Sequence, residues 1–336
     1  MATITYGTVE IGCNAGESVL SAFERASVDI PYSCRNGTCL SCMMRATSGP
    51  VSKASQKGIR PTLAEQGYFL ACQHTPTNDL TIARPDDAQL YGRAMITAVE
   101  RPTATVTKLR LQPANDLFYH AGQFINLRRA DGLVRSYSIA SVPRTDPEIE
   151  LHIKRLAGGI MSTWACDQLQ PGEAVDIQGP NGDCYYLPGK SDQTMLLIGN
   201  GTGAAPLIGI ARDALLDGHH GPVHLYHGTR HPPGLYLDTE LQALANEHDN
   251  FFYHPCISGW AEGDLPPWVP AGTRAGRAED VALTDHSALT DWRIYLCGYP
   301  PMVQATRTRA YLAGAAVADI LADAFELRDL RHEPRA

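Results

Sequence analysis

Apolar positions along the 336-residue chain recur at two spacings, and the spacing changes along its length. Residues 3–6 and 8–11 are short β-rich runs on either side of Gly7, a hairpin signal. Residues 18–26 then carry apolar side chains at helical spacing, and residues 80–83 form a last short strand. Between these lie a cysteine loop and a polar stretch rich in Gly, Ser and Lys. From about residue 93 to 187 the pattern becomes short β runs with turn punctuation, at 94–100, 105–111, 123–127, 134–139, 149–155 and 174–179. Six such runs predict a small antiparallel barrel. Beyond residue 190 strand and helix alternate: strands at 194–198, 223–227, 251–255 and 293–296, with helices at 207–216 and after Leu235-Tyr236-Leu237. That alternation predicts a doubly wound parallel sheet. The stretch 84–92, RPDDAQLYG, reads as a linker. The expected organisation is three units, 1–86, 93–187 and 190–336, in a multi-domain chain of α+β, β-barrel and α/β parts. The length agrees, being too great for one comfortable core.

Charge narrows the function. Thirty-six acidic and 28 basic residues give a net −8, which suits a soluble protein and lends no support to nucleic-acid binding. Residues 1–86 hold seven acidic and seven basic residues, so this unit does not dock by bulk charge alone. The opening MATITYGTVEIG has neither the charged nor the apolar region of a signal peptide. No apolar run reaches the roughly 18 residues of a membrane helix, so no membrane association is expected.

The densest chemistry lies in PYSCRNGTCLSC, where Cys34, Cys39 and Cys42 stand at C-x4-C-x2-C, followed by Cys72 in GYFLACQ. A two-iron, two-sulfur cluster needs four thiolate ligands, and the spacing of the first three is the plant-type ferredoxin pattern. Gly37 permits unusual backbone angles in so tight a loop. Ser33, Arg35, Asn36, Thr38 and Ser41 keep the loop polar, so that backbone N–H groups can face the sulfurs and tune the potential. A structural zinc site prefers paired CxxC units, and one CxxC is present; free buried cysteines are the other alternative. The remaining Cys13, Cys166, Cys184, Cys256 and Cys297 are scattered and odd in number, reading as reduced thiols of a cytoplasmic protein. PYSCRNGTCLSC and GYFLACQ, in that order, resemble the motifs of plant-type ferredoxins. The resemblance implies a β-grasp fold with the cluster near the surface.

Within the barrel region stands Arg135-Ser136-Tyr137-Ser138. An Arg grips a pyrophosphate with forked bonds, an aromatic two positions on stacks on a flat ring, and the next hydroxyl reaches a ring nitrogen. Four residues alone are a weak signal, since exposed strands often have such composition. Leu151-His152-Ile153-Lys154 is a strand whose backbone can line a cofactor, and Gly158-Gly159-Ile160-Met161-Ser162-Thr163 opens a helix whose free N–H groups can take a phosphate. A plain loop before a helix cap is the alternative for Gly158-Gly159. The three pieces together resemble the flavin domain of the ferredoxin–NADP reductase superfamily. The resemblance implies that Arg135 binds flavin phosphate or ribityl, that Tyr137 stacks on the isoalloxazine, and that Ser138 sits near flavin N5. It also implies that Gly159, Ile160, Met161 and Ser162 cradle the pyrophosphate of FAD. Many relatives have Pro where Ser136 stands, a departure expected to affect strand stiffness more than chemistry.

After the strand at 194–198 comes Gly199-Asn200-Gly201-Thr202-Gly203-Ala204-Ala205-Pro206, and strand, glycine turn and helix are how nucleotide phosphates are held. The turn resembles the superfamily's nicotinamide-binding turn, which makes Gly201, Thr202 and Gly203 binding candidates. RIYLCGYPPMV places Cys297 and Gly298 at the carboxyl end of a strand, where ligands of parallel sheets sit. The resemblance implies that Cys297 lies near the nicotinamide C4; a buried cysteine is the plain alternative. Phe325, in LADAFE, matches an aromatic that relatives place near their C-terminus, as a shield of the flavin face. Arg230 and residues 231–238 bear on the coenzyme, since a 2′-phosphate calls for Arg and a free ribose for an acid. No basic cluster stands there in the sequence, which favours NADH while admitting NADPH. His219 and His220 lack ligand spacing and are expected to face solvent.

The chain as a whole resembles the reductase components of bacterial multi-component, aromatic-ring-hydroxylating oxygenases with an N-terminal ferredoxin. A nicotinamide gives up two electrons together and a [2Fe-2S] cluster accepts them singly, so a flavin belongs between them. The resemblance implies a monomer that carries electrons from NAD(P)H through FAD to the cluster and on to a ferredoxin or terminal oxygenase, in aromatic compound degradation. Tyr137, Ser138 and Cys297 are the expected catalytic set. The alternatives are a reductase of the same architecture coupled to a dehydratase in deoxysugar synthesis, and an electron carrier whose C-terminal half only binds nucleotide.

Overall fold

The computed structural model describes residues 2–85, 90–261, 263 and 265–325. At the N-terminus β1 (Ala2–Tyr6) and β2 (Val9–Cys13) form the expected hairpin, turned by Gly7 at φ 59°. Helix α1 (Val19–Arg25) starts where the Ser18 hydroxyl accepts the Ser21 N–H at 3.2 Å, and it buries Val19, Leu20, Ala22 and Phe23. Two strands follow that the residue pattern does not signal, β3 (Met43–Ser48) and β4 (Tyr68–Leu70). β3 has two adjacent buried residues and then a polar run, and β4 has three buried residues in a row, so neither shows period-two alternation. Between them lies the short α2 (Pro61–Ala64). β5 (Leu80–Ala83) pairs parallel to β1 and completes a sheet of order β2-β1-β5-β3-β4. A mixed sheet clasping one helix is the expected β-grasp.

The middle of the chain is the expected six-stranded antiparallel barrel. Its strands are β6 (Gly92–Thr103), β7 (Val106–Pro113), β8 (Phe124–Arg128), β9 (Val134–Ser138), β10 (Ile149–Lys154) and β11 (Ala174–Asn181). Their order is β10-β7-β6-β11-β8-β9, and a bridge between Ile139 and Leu151 joins the two edges. Leu109, Ile125, Leu127, Leu151 and Ile153 fill the interior, and α3 (Ile160–Asp167) covers it with Met161 and Ala165.

The last unit begins with β12 (Met195–Asn200), α4 (Ala204–Leu216), β13 (Val223–Thr229), α5 (Asp238–Glu247) and β14 (Phe251–Ile257). It continues through β15 (Arg274–Ala275), α6 (Ala278–Asp285), β16 (Arg293–Gly298), α7 (Pro300–Leu312) and β17 (Ile320–Ala324). All six strands are parallel, in the order β15-β14-β13-β12-β16-β17. The chain leaves β12 toward β13 on one side and returns as β16 on the other, so the switch point of this sheet lies between β12 and β16. Met195 and Leu197 pack toward α4, while Leu196 and Ile198 pack toward α6 and α7. No helix among the described residues is long and apolar enough to cross a membrane.

One surface expectation is corrected. His220 is exposed, but His219 is buried against the ring of Tyr186, with centroids 5.8 Å apart. Gly218 at φ 81° ends α4 and turns the chain inward, and the His219 N–H donates to the Ala214 carbonyl at 3.0 Å. In such a helix ending the residue after the glycine packs back on the helix.

The units are joined closely. Of the linker expected at 84–92, residues 86–89 lie outside the described residues. Leu90 is buried in the ferredoxin core, and the Tyr91 ring lies 3.8 Å from the Arg128 guanidinium of the barrel. The nucleotide sheet meets the barrel through α4, where a Cβ on Gly209 would stand 2.6 Å from the Ala140 carbonyl oxygen. Ion pairs flank this seam, Arg212 with Asp146 and Arg144 with Asp213, both at 2.8 Å.

Gly209 lets two competing magnitudes be weighed. Ala in place of Gly inside a helix is worth about 1 kcal/mol of propensity. Against it, the new methyl meets a backbone carbonyl, and overpacking costs about 1–3 kcal/mol. Gly209→Ala is therefore expected to lower the urea midpoint of the chain. A midpoint unchanged or raised would show that the seam yields freely.

Candidate active site

A cavity of about 890 Å³ lies where the three units meet. The ferredoxin unit supplies Cys34, Thr38 and Cys39 to its wall, the barrel supplies β9 and the start of α3, and the nucleotide unit supplies the carboxyl ends of β12, β16 and β17.

The cysteine loop is shaped by backbone angles. Arg35 (φ 59°), Gly37 (φ 86°) and Leu40 (φ 57°) all lie in the left-handed region. A Cβ on Gly37 would stand 2.9 Å from the Gln73 side chain, so only glycine suits that point. The resulting curl turns N–H groups inward: those of Asn36 and Cys39 donate to the Cys34 sulfur at 3.4 Å, and that of Cys34 to the Cys39 sulfur at 3.4 Å. Arg35, Asn36 and Thr38 are exposed as a polar loop requires, whereas Ser33 and Ser41 are buried. Cys72 arrives through the β3–β4 pair. Met43 sits opposite Leu70, and the Ala71 N–H donates to the Cys42 carbonyl at 3.0 Å. The first N–H groups of α1 hold the same segment, Val19 to His74 and Leu20 to Ala71, each at 2.9 Å.

The thiols stand as two pairs, Cys34 with Cys39 and Cys42 with Cys72. Among the described residues no three ligating side chains converge on one point, as a single metal ion would require. Two pairs with inward N–H groups suit two sulfide-bridged irons with two thiolates each, and a lone zinc less well. Cys34 and Cys39 face the cavity, while Cys72 is the most exposed of the four.

On the barrel side all four residues of the RSYS motif line the cavity. Arg135 donates from Nη1 to the Val134 carbonyl at 2.7 Å. Tyr137 lies against the barrel core, and burial holds its phenol above the usual range. The Ser138 hydroxyl donates to Asp323 Oδ2 at 2.7 Å, and the Ser136 hydroxyl to Asn126 Oδ1 at 2.7 Å. His152 reaches the wall with both ring nitrogens engaged, Nδ1 with the Tyr236 hydroxyl at 2.7 Å and Nε2 with Glu150 at 2.8 Å; burial lowers its pKa. Ile153 points into the barrel core and Lys154 returns to the cavity, as period-two alternation demands. Gly159 caps α3 with Met161 and Ser162 beside it on the wall. A Cβ on Gly159 would stand 2.5 Å from the Ser162 hydroxyl. Ile160 is 60% exposed and its side chain lies off the wall, so its N–H is what it offers there.

On the nucleotide side Gly201 and Thr202 line the cavity. Burial pushes the neighbouring His227 down to about 4, so its imidazole is neutral, and its Nε2 donates to the Gly201 carbonyl at 3.0 Å. Gly203 is off the wall, where a Cβ would stand 2.3 Å from the Cys297 carbonyl oxygen. Its glycine serves close packing of α4 on β16. Gly298 is on the wall because the Asn200 carboxamide crosses it: a Cβ there would stand 2.3 Å from Asn200 Oδ1, which accepts the Tyr299 N–H at 2.9 Å. The Cys297 thiol is fully buried in the core beside α4, 3.7 Å from the Cys184 sulfur. The structure therefore brings its backbone neighbour Gly298 to the cavity, and not the thiol. Phe325 lies on the wall, its N–H donating to the Gly298 carbonyl at 2.7 Å. Arg230 stands in the cavity with Arg277, Glu279, Asp280 and Arg309; Arg309 pairs with Asp280 at 2.6 Å.

Sequence reading missed Asp323, Asn200 and the α6–α7 charges. A signal for Asp323 exists, since it lies two residues before Phe325 at the end of a parallel strand. Burial raises the Asp323 carboxyl from 3.8 to about 6, with the Ser138 hydroxyl opposing. At about pH 3 and below, the group is mostly neutral in both folded and unfolded chains. As pH rises toward 6 the unfolded state ionises first, so the folded chain loses stability across that window and regains none above it. Asp323→Asn is thus expected to be more stable than the parent by about 3 kcal/mol above pH 6. The advantage should fade near pH 4. Urea midpoints of both proteins across this range test it, and a difference independent of pH would refute it.

Residues 3–77 match the 2Fe-2S iron-sulfur cluster binding domain, residues 96–186 the oxidoreductase FAD-binding domain, and residues 197–308 the oxidoreductase NAD-binding domain. The ferredoxin–NAD(P)+ reductase component of the naphthalene 1,2-dioxygenase system of Pseudomonas putida is 33% identical over 318 residues, covering 93% of this chain and 94% of that one. The reductase subunit of an aromatic O-demethylase from an Amycolatopsis species is 34% identical over 314 residues, covering 90% and 92%. A crystal structure of an Amycolatopsis cytochrome P450 reductase superposes with a TM-score of 0.67 at 30% identity, covering 97% of this chain and 99% of that one. The architecture, the paired thiols at a shared cavity and these likenesses agree, and the chain belongs to the family of iron–sulfur flavoprotein reductases, which carry electrons from NAD(P)H through FAD to a [2Fe-2S] cluster.

Proposed function

We propose that this chain is the monomeric reductase of an oxygenase system for aromatic compounds, drawing on NADH and passing single electrons to a ferredoxin or a terminal oxygenase. The observation that carries the reading is one cavity walled by two cluster-ligand cysteines, the RSYS motif and the ends of β12 and β16. Bound FAD supplies the exchange between paired and single electrons.

The roles of the chain's own side chains follow from the wall. Arg135 is the donor for a flavin phosphate, and the N–H groups of Ile160, Met161 and Ser162 at the start of α3 receive the pyrophosphate. Tyr137 offers its ring to the isoalloxazine. Ser138 holds a hydroxyl toward the ring edge, and Asp323 behind it accepts that hydrogen at Oδ2 and takes up a proton only below about pH 6. Gly201, Thr202 and the start of α4 take the coenzyme phosphates, while Gly298 and Phe325 border the nicotinamide. Cys297 acts through core packing under that border. At the ribose end Asp280 engages Arg309, and Glu279 offers a carboxylate to a free 2′-hydroxyl, which supports NADH. Arg230 and Arg277 admit NADPH as well. The acceptor is drawn from the relatives, whose names tie them to naphthalene dioxygenation and aromatic O-demethylation.

Two substitutions test this. Cys39→Ser is expected to abolish the cluster's visible absorption and NADH-driven cytochrome c reduction, while ferricyanide is still reduced from the flavin. Cytochrome reduction at the parent rate would overturn the electron order. Arg135→Ala removes charge-assisted bonds worth about 1.5–3 kcal/mol, so flavin affinity should fall by about ten- to a hundredfold. Flavin content unchanged after gel filtration would remove Arg135 from the site.

A further inference from the structure

Strands β11, β8 and β9 carry Gln178, Asn126 and Ser136 on one rung, Gln178 opposite Asn126 and Asn126 opposite Ser136. The flanking Ile125 and Leu127 fill the barrel, so this rung faces outward. An outward polar rung is ordinarily wet, yet Asn126 is 0% exposed. The cysteine loop of the ferredoxin unit lies over it. Asn126 Nδ2 donates to the Cys39 carbonyl at 2.7 Å and to Gln178 Oε1 at 2.6 Å, and Asn126 Oδ1 accepts the Ser136 hydroxyl at 2.7 Å. Both amide hydrogens and the amide oxygen are thereby engaged, which fixes the orientation of the group. Ser136 thus has a chemical task that Pro, lacking a hydroxyl, could not perform: it holds the oxygen of Asn126 so that the nitrogen must face Cys39. The expectation that Ser136 matters chiefly for strand stiffness is corrected by this contact.

The chain of bonds runs between the two centres that must exchange electrons. Its one end is the backbone of Cys39, whose residue lines the cavity as a cluster ligand. Its other end is the residue beside Tyr137 in the flavin motif. We infer that Asn126 is a positioning residue: it locks the cluster loop against the flavin wall and so sets the rate of internal one-electron transfer, leaving coenzyme oxidation untouched. The inference rests on the reductase reading above. Exchanging bonds to water for bonds within the protein makes the amide a minor source of stability. Its value is directional, since electron transfer slows steeply as the distance between the two centres grows.

The test uses the full chain loaded with FAD and cluster. Asn126→Leu keeps the volume and removes every hydrogen bond; Asn126→Asp keeps the shape but turns acceptors toward the Cys39 carbonyl. Both variants should reduce ferricyanide with NADH as the parent does, and the electron paramagnetic resonance of the reduced cluster should be unchanged. Flavin-to-cluster transfer in stopped flow, and cytochrome c reduction with it, should fall severalfold. Parent-like transfer in variants with an intact cluster overturns the inference. Loss of the cluster in both variants also overturns it, because Asn126 would then hold the loop's own fold. If the parent itself reduces neither acceptor with NADH, the failure belongs to the reductase reading and not to Asn126.

Discussion

Close contact between backbone carbonyls and glycines sets the distances in this molecule. The Ala140 carbonyl abuts Gly209, the Cys184 carbonyl abuts Gly122 and the Cys297 carbonyl abuts Gly203, each with no room for a Cβ. The first brings the barrel onto α4, the second brings it against the segment that follows β11, with Ile210 of α4 alongside, and the third brings the start of α4 onto β16. An ordinary side chain at any of them would push the elements apart by the width of a methyl group. The cavity exists because these surfaces come so near, and its walls then fall to whichever residues end β9, β12, β16 and β17.

Polar groups buried across the seams do the finer work. Ser138 of the barrel meets Asp323 of the nucleotide unit, and Asn126 of the barrel meets Cys39 of the ferredoxin unit. Both barrel residues lie on neighbouring strands of one edge of the sheet, so a single stretch of β8 and β9 answers to both partners. Leaving such groups unpaired would cost about 1–3 kcal/mol each, which favours one mutual arrangement of the units over sliding alternatives. Asp323 sits where burial outweighs its hydrogen bond, and a carboxyl that ionises only near pH 6, above the usual carboxylate range, is the result.

Legibility followed the range of the interactions. Strands of the barrel were read to within a few residues because their alternation is local. β3, β4, β15 and β17 went unread: β4 is buried throughout, β15 is two residues long, and β3 and β17 show no regular alternation of buried and exposed residues, being shaped by their partners. His219 looked like a surface residue until Gly218 turned it under the helix. The site divided in the same way. Arg135, Tyr137, Ser138, Gly201, Thr202, Gly298 and Phe325 reached the cavity as expected, whereas the Cys297 thiol, Gly203 and the side chains of Ile153 and Ile160 did not. Facing is decided by which side of a strand the neighbouring helix occupies, and no single motif carries that.

What the sequence determined by itself is whatever a short covalent span must hold: three cysteines in nine residues, a glycine that lets the loop curl, an R-x-Y-S strand and a glycine turn before a helix. Within such spans the atoms cannot separate, so spacing alone reveals them. Only the tertiary structure decided which distant residues complete the site. Asp323 stands 185 positions from Ser138, Asn126 stands 87 from Cys39, and Arg277 and Arg309, before α6 and within α7, share the cavity with Arg230. Such pairs owe their meeting to strand order and to the packing of units, quantities that belong to the folded chain as a whole.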